Sequence, residues 1–350
     1  MPAQSPAITE LTEPASIIRQ IEDFRRDRKL VGFGAGLGML QTQETTPLDL
    51  AYLVDSTPGL AGRSVAGFPI LDLEGLTGGP KETAVIIYAN TPRAVTSMAA
   101  KLSSLGYIFG EDYLDSSLLH VESIGKRLHR LGIQTSRRRF DRCRALCLNT
   151  AVPSMTQIAG TWLMAELLEH CRRIPGGIAE CGVYKGGNAL LVLSTSDAAC
   201  ERSYHLLDSF AGFHRLSDAD PQRRATDFRD ASFAQVRDLF ANFKNVTIHP
   251  GFFEKTLPAL KESSYCSVYI DCDLYEPTKL LLEYFWKRIS PGGLLMLHDC
   301  WQPPSGLPAQ VVAPFTGIIR AVREFFPSGT ELVSFPETTH VLIRKPDPHQ

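Results

Sequence analysis

Along this 350-residue chain, short apolar runs rich in β-branched residues end in an acid or a glycine turn and then give way to helix-spaced apolar positions. Two such runs lie close together in the C-terminal half. Val268, Tyr269 and Ile270 predict a buried strand that ends in Asp271 and Asp273, and Pro277 helps to open the helix after it. Residues 292–297 predict a neighbouring strand that ends in His298 and Asp299. Upstream, residues 177–179 lead into Glu180, a turn containing Gly182, Gly186 and Gly187, and a helix over 189–193. Residues 204–208 predict a strand ending in Asp208, residues 246–248 a third strand, and residues 154–171 have helical spacing. The first 115 residues repeat the theme. They predict a charged helix over 17–28, strands over 30–33, 51–55 and 83–89, a Gly34-Ala35-Gly36-Leu37-Gly38 turn with a helix after it, and a helix over 92–105. Strands that alternate with helices imply parallel, doubly wound sheets. The expected architecture is α/β, with two doubly wound Rossmann-like domains. Residues 1–115 form a nucleotide-binding-type domain, 116–152 a basic helical connector and 153–350 a second domain.

Composition adds limits. A hydrophobic share of 44% supports real cores, and the length suffices for two domains. A formal net charge of −2 argues against a general nucleic-acid binder. Residues 121–150 are locally basic, with eight Lys and Arg against Glu122 and Asp141, and read as a solvated face or connector. The eight cysteines are scattered without a C-x-x-C pair, which fits reduced structural thiols in a cytoplasmic protein. Cys272 and Cys300 flank the acids, but no paired base accompanies them. No apolar run approaches ~20 residues, so no membrane span is expected. The N-terminus lacks the basic-then-apolar pattern of a signal peptide.

The acids carry the chemistry. Carboxyl ends of strands are where open α/β sheets place their ligands. Asp271, Asp273, His298 and Asp299, delivered there by two adjacent tips, would repel one another unless a divalent cation joined them. Glu180 beside a glycine turn suits a ligand with an amino group better than a bare phosphate, which it would repel. The methionyl part of S-adenosylmethionine carries an ammonium for Glu180 and a carboxylate for the backbone amides of residues 182–187. Asp208, 28 residues after Glu180, is placed to accept from a ribose diol. Gly251 and Phe252 border the adenine, although an ordinary turn with a core aromatic explains Phe252 equally well. In the first domain, Asp55 lies 21 residues after Gly34, as in a dinucleotide fingerprint, but Met39 stands at the third glycine position. Binding of a nucleotide-like ligand and a retained scaffold both remain open there. The polar stretch between Phe213 and Phe233, including His214 and Arg223, reads as a lid over the acceptor or as a solvated loop.

From about Pro153 onward, the chain resembles the macrocin O-methyltransferase (TylF/MycF-type) family. The resemblance rests on residues 179–187, 207–210, 249–253 with Thr256-Leu257-Pro258, 271–278, and Pro291-Gly292-Gly293 followed by His298-Asp299. It implies a class I S-adenosylmethionine-dependent methyltransferase fold and a Mg²⁺-dependent transfer to a sugar hydroxyl. It further implies cofactor contacts at Glu180, Gly182, Tyr184, Gly186, Asp208, Ser209, Gly251, Phe252 and Asp271. Asp273 matches the general base and Asp271 a metal-binding aspartate. His298 and Asp299 match a pair of metal-binding aspartates, so the histidine is a departure. Imidazole suits Mn²⁺, Fe²⁺ or Zn²⁺ better than Mg²⁺, so either His298 lies behind the ligands or the preferred metal differs. The resemblance also implies a sugar-containing small-molecule acceptor and a homo-oligomer. The first domain resembles the Rossmann-like unit found next to sugar-modifying enzymes, which touches nucleotide-sugars in some relatives.

The expected reaction is methyl transfer to a sugar hydroxyl in a glycosylated natural product, nucleotide-sugar or surface glycan. Two alternatives stand beside it. One is a catechol or phenol O-methyltransferase, whose adjacent hydroxyls also chelate a cation. The other is a nucleotide-sugar-binding module with an inactive methyltransferase fold.

Overall fold

The computed structural model describes residues 14–213, 216–301 and 315–347 of the chain. Among these residues two sheets form, each with helices around it. The first unit begins with α1 (Pro14–Arg25), β1 (Lys29–Phe33), α2 (Leu37–Thr45), β2 (Tyr52–Val54), the short hairpin β3 (Ser64–Val65) and β4 (Phe68–Leu71), β5 (Thr83–Ile87), α3 (Pro92–Ser104) and β6 (Tyr113–Asp115). Its sheet order is β3-β4-β2-β1-β5-β6, parallel throughout except for β3. All five residues of β5 are buried, as a strand covered on both faces requires. Thr91 caps α3 by accepting from the Ala94 amide at 3.3 Å, and Pro92 fits the first helical position, where no amide is needed.

Two helices, α4 (Ser117–Arg130) and α5 (Arg137–Asn149), lead to α6 (Ile158–His170) and the second sheet. That unit holds β7 (Gly177–Cys181), α7 (Gly187–Thr195), α8 (Asp197–Cys200), β8 (Tyr204–Asp208), α9 (Phe233–Leu239), β9 (Val246–Pro250), α10 (Phe253–Thr256), β10 (Tyr265–Ile270), α11 (Tyr275–Phe285), β11 (Ile289–Leu297), α12 (Thr316–Phe325), β12 (Val333–Phe335) and β13 (His340–Arg344). Its order is β12-β13-β11-β10-β7-β8-β9. All pairings are parallel except those of β13, which runs against both β11 and β12. A reversed last strand inserted between the fifth and sixth is the topology of class I S-adenosylmethionine-dependent methyltransferases, as expected.

The basic run is not a bare solvated face. Arg127 forks onto the fully buried Glu337 at 2.9 and 3.2 Å, Arg139 pairs with Glu166, and Arg144 pairs with Asp115. Ile124, Leu128, Phe140 and Cys143 join the same core as Trp162 and Leu163, and the Phe140 ring meets Trp162 edge-on at 5.5 Å. Apolar spacing brings α4 and α5 into the core, and Arg127, Arg139 and Arg144 between those positions reach buried acids. Strand β6 falls at the start of a stretch that reads as helical. The β3–β4 hairpin and the C-terminal α12, β12 and β13 have no counterpart in the sequence expectations.

Strand β10 lies between β7 and β11, with Ile270 in register with both Cys181 and Leu297. All six of its residues are buried. The residues that follow the three strands therefore stand side by side. The Asp271 amide donates to Cys181 O at 2.8 Å and the His298 amide to Ile270 O at 3.0 Å. Beyond Asp299, Trp301 leaves the second unit and packs among Ile21, Met39, Leu40 and Tyr88 of the first.

Candidate functional site

The tips of β7, β8, β10 and β11 open into one cavity of about 890 Å³. Eleven of the twelve site residues read from the sequence line it: Glu180, Gly182, Tyr184, Asp208, Ser209, Gly251, Phe252, Asp271, Asp273, His298 and Asp299. Gly186 does not. It caps α7 in the left-handed region (φ 80°), where a side chain would also fall 2.9 Å from Phe240, and Gly187 reaches the cavity instead. Gly182 (φ 95°) is required by its neighbour, because a Cβ there would lie 1.8 Å from the Asp271 carbonyl oxygen. This glycine thus lets two strand tips close together, whatever ligand passes over it.

At one end of the cavity stands Glu180, 1% exposed. Its carboxyl accepts from the Tyr204 hydroxyl at 2.7 Å and the Asn188 amide at 3.2 Å. Burial outweighs these bonds and, with Asp271 adding repulsion, pushes its pKa up to about 7. Such a group favours a cation arriving beside it. Asp208 has a task the sequence did not reveal. One oxygen accepts from the Val183 and Tyr184 amides at 2.7 and 2.8 Å, and the other from the Phe210 amide at 2.7 Å. It therefore ties the glycine turn to β8, and the second oxygen keeps further acceptor capacity. Ser209 donates to Gly212 O at 2.8 Å and steadies the same corner.

At the other end the acids converge. His298 Nδ1 lies 3.1 Å from Asp271 Oδ1 and 3.5 Å from Asp299 Oδ1. Behind them the Tyr269 hydroxyl donates to Asp271 at 3.1 Å, and Thr339 to Asp299 at 3.3 Å. Asp273 (φ 66°) and Asp299 (φ 55°) both adopt the left-handed conformation, uncommon for any residue except glycine and a source of local strain at working sites. Burial raises the Asp273 carboxyl well above the usual range, and Asp271 and Asp299 add to the rise while Arg223 opposes it. Burial lowers the His298 imidazolium, but Asp271 and Asp299 outweigh that and push it up to about 10. Against the cost of burial, His298 in turn holds Asp271 below the ordinary value.

The donor set was tested against a divalent ion. The coordinating atoms of Asp271, His298 and Asp299 lie within 4.8 Å of one another. Neighbouring ligands on an octahedral ion at ~2.1 Å stand about 3 Å apart, and the 3.1 and 3.5 Å here are the separations of an imidazolium bonded to both acids, so an ion held by these three residues would displace the His298 proton. Two carboxylates with one imidazole fit Mn²⁺, Fe²⁺ or Zn²⁺ better than an all-oxygen Mg²⁺ site.

Residues 216–232 cover this end. The Asp220 carboxylate is 2% exposed and accepts from the Tyr275 amide at 2.9 Å, at the start of α11, where a negative charge is favoured. Arg223 pairs with Asp273, lies 3.9 Å from Asp299, and stacks on Phe228 and Phe315. Tyr184 joins the cover through Asp230 and an edge contact with Phe228 at 5.2 Å. His214, in the same polar stretch, lies outside the described residues. Burial pushes the Cys272 thiol up to about 12 and raises the Cys300 thiol well above its ordinary value, which disfavours a thiolate at either position. All eight cysteines are free. No described helix is long and apolar enough to cross a membrane.

The sequence missed several cavity residues. Arg223 was visible only as one charge in a polar stretch, because its meeting with Asp273 spans 50 residues. Pro153, Ser154, Met155, Thr156 and Gln157 line the cavity ahead of α6, and Leu37, Asn90 and Thr91 reach it from the first unit. No local spacing signals either group.

The chain is similar to several known proteins. A tetracenomycin-C rhamnosyl 4'-O-methyltransferase of Streptomyces olivaceus is 28% identical over 139 residues, 36% of this chain and 53% of its own. Mycinamicin III 3''-O-methyltransferase of Micromonospora griseorubida is 27% identical over 154 residues, 38% of this chain and 60% of its own. The chain thus spans a little over half the length of these curated relatives. Among solved structures, the O-methyltransferase NovP is 23% identical, covers 66% of this chain and 100% of its own, and superposes with a TM-score of 0.44. The profile of the macrocin-O-methyltransferase (TylF) family matches residues 135–309, half of the chain and the span that carries Glu180, Asp208, Asp271, Asp273, His298 and Asp299. On that match, the chain belongs to the macrocin-O-methyltransferase (TylF) family.

Proposed function

We propose that this protein transfers a methyl group from S-adenosylmethionine to a sugar hydroxyl, at a site where Asp271, His298 and Asp299 hold a divalent ion. One observation carries the reading: Glu180 and the acid cluster open into a single cavity from adjacent strand tips. The names of the curated relatives, a 4'-O-methyltransferase of a rhamnosyl tetracenomycin and a 3''-O-methyltransferase of mycinamicin III, support the acceptor class.

When bound, S-adenosylmethionine supplies an electrophilic methyl group, and the ion supplies positive charge beside the acceptor oxygen. The remaining work falls to the chain. Glu180, ionised by the ammonium next to it, orients the methionyl end. Asp208 keeps the glycine turn in place, and its less occupied oxygen would accept from the ribose. Gly251 and Phe252 would border the adenine. Asp273 takes the proton of the acceptor hydroxyl as the oxygen bonds to the methyl carbon and S-adenosylhomocysteine leaves. A buried carboxyl with a raised pKa is a better base than an exposed one. Arg223 and residues 216–232 exclude water, and the in-line approach is a matter of positioning.

The test is transfer of label from S-adenosylmethionine to a panel of glycosides and catechols, with and without chelator. Glycosides should be labelled, chelator should abolish the signal, and Mn²⁺ should restore it. Undiminished labelling in excess chelator would remove the metal from the mechanism, and labelling of catechols alone would change the acceptor class.

A further inference from the structure

The first unit lies outside the span matched by the family, yet it faces the same cavity. Leu37 opens α2 just beyond the tip of β1, and Asn90 and Thr91 join β5 to α3. These positions are at the carboxyl ends of β1 and β5, two adjacent inner strands of the first sheet, where such sheets place their ligands. The two sheets therefore present their ligand-binding ends to one another across a shared space.

Two glycines of the turn in the first unit answer to this wall. A Cβ on Gly34 (φ 106°) would fall 2.3 Å from Tyr88 O, and one on Gly38 would fall 2.6 Å from Asn90 Oδ1. Gly38 thus makes room for the Asn90 carboxamide, which has no hydrogen-bond partner among the described residues. Asp55, the acid placed for a ribose, accepts from the Ala35 and Thr57 amides at 2.8 Å each. These bonds tie the turn to β2, and each oxygen keeps further acceptor capacity.

Charge narrows what this wall receives. Seven carboxylates line the cavity against two Lys and Arg side chains, Arg223 and Lys255, both on the second unit. Arg223 is already paired with Asp273. By formal charge, with His298 neutral on the ion and every carboxyl ionised, a divalent ion and a singly positive S-adenosylmethionine leave this lining net negative, which disfavours a diphosphate or carboxylate on the acceptor.

We propose that the first unit completes the acceptor site, with Asn90 as a specificity-determining residue that hydrogen-bonds an uncharged or cationic hydroxylated group, not a nucleotide-linked sugar. This rests on the methyltransferase reading above. The experiment uses the full-length protein, methyl glycosides, the matching nucleoside-diphosphate sugars, and calorimetry with S-adenosylhomocysteine. Label should enter methyl glycosides and not their diphosphate counterparts. Asn90→Ala should raise KM for the best glycoside at least tenfold, with kcat within about twofold and S-adenosylhomocysteine affinity unchanged, which also shows that the variant folds. An unchanged KM, or a lower KM for the diphosphate sugar, overturns the proposal. If S-adenosylhomocysteine binds but no glycoside is labelled, this acceptor class falls while the methyltransferase reading stands. Failure of S-adenosylhomocysteine to bind the unaltered protein removes that reading itself.

Discussion

The indole N–H of Trp301 donates to Glu44 Oε2 at 2.7 Å, joining residues 257 positions apart and fastening the loop after Asp299 to the first unit. Trp301 is 7% exposed, so the anchor is apolar contact as well as hydrogen bond. Trp301→Phe keeps most of the contact and loses a bond to a carboxylate, worth roughly 1.5–3 kcal/mol. Trp301→Ala also opens a cavity and costs about 3–5 kcal/mol. The melting temperature should fall in that order. If the anchor sets the position of Asp299, Trp301→Phe should also weaken Mn²⁺ binding severalfold by electron paramagnetic resonance. Unaltered Mn²⁺ affinity would confine Trp301 to stability.

His298 departs from the paired aspartates of the resembling family, and its Nδ1 faces both Asp271 and Asp299. His298→Asp turns a mixed donor set into an all-oxygen one. The ratio of Mg²⁺ to Mn²⁺ affinity should rise at least tenfold in the variant, because imidazole favours the later metal and carboxylate does not. Asp271→Asn and Asp299→Asn should each weaken both ions. A ratio unmoved by His298→Asp would place the imidazole behind the ligands.

How much of this was legible in the sequence depends on the range of the signal. The strand tips at Glu180, Asp208, Asp271 and His298 were readable because a buried strand and the acid that ends it are adjacent in the chain. The glycines were readable as turns, but their reasons were not. Gly182 answers to the Asp271 carbonyl and Gly38 to Asn90, neighbours supplied by distant strands. The arginines of α4 and α5 looked solvated because their acids, such as Glu337, lie up to 210 residues away. The C-terminal β13 eluded the reading because it runs antiparallel into a parallel sheet, outside the alternation that revealed the other strands.

Arg223 and Asp273 form a nearly buried pair, with 15% and 12% of their side chains exposed. Removing one partner of such a pair costs about 3–5 kcal/mol when the other is left buried and charged. Part of that cost should appear locally, as release of residues 216–232 from Asp273 and Phe315. Arg223→Ala should accelerate proteolysis within this segment and lower kcat by tenfold or more, while S-adenosylhomocysteine affinity changes little. Cleavage at the rate of the unaltered protein would show that Asp220 alone pins the cover.

Glu180 sets ligand binding against stability. Its pKa of about 7 in the folded protein lies above the ordinary 4.5 of a free glutamate, because burial and Asp271 disfavour the charge. The folded state therefore holds a proton that the unfolded state has lost between those two values. Stability from this group is highest below pH ~4.5 and declines as pH rises toward 7, by roughly 3 kcal/mol in all. Glu180→Gln leaves groups able to bond Tyr204 and Asn188 but cannot ionise. Without ligand at pH 8 it should melt several degrees above the unaltered protein, and the gap should close toward pH 5. With ligand the order should reverse. The unaltered protein should bind S-adenosylhomocysteine more tightly as pH rises through 7, and the glutamine variant should bind at least tenfold more weakly with no such pH dependence. Affinity in the variant equal to that of the unaltered protein at pH 8 would mean that the ammonium rests elsewhere.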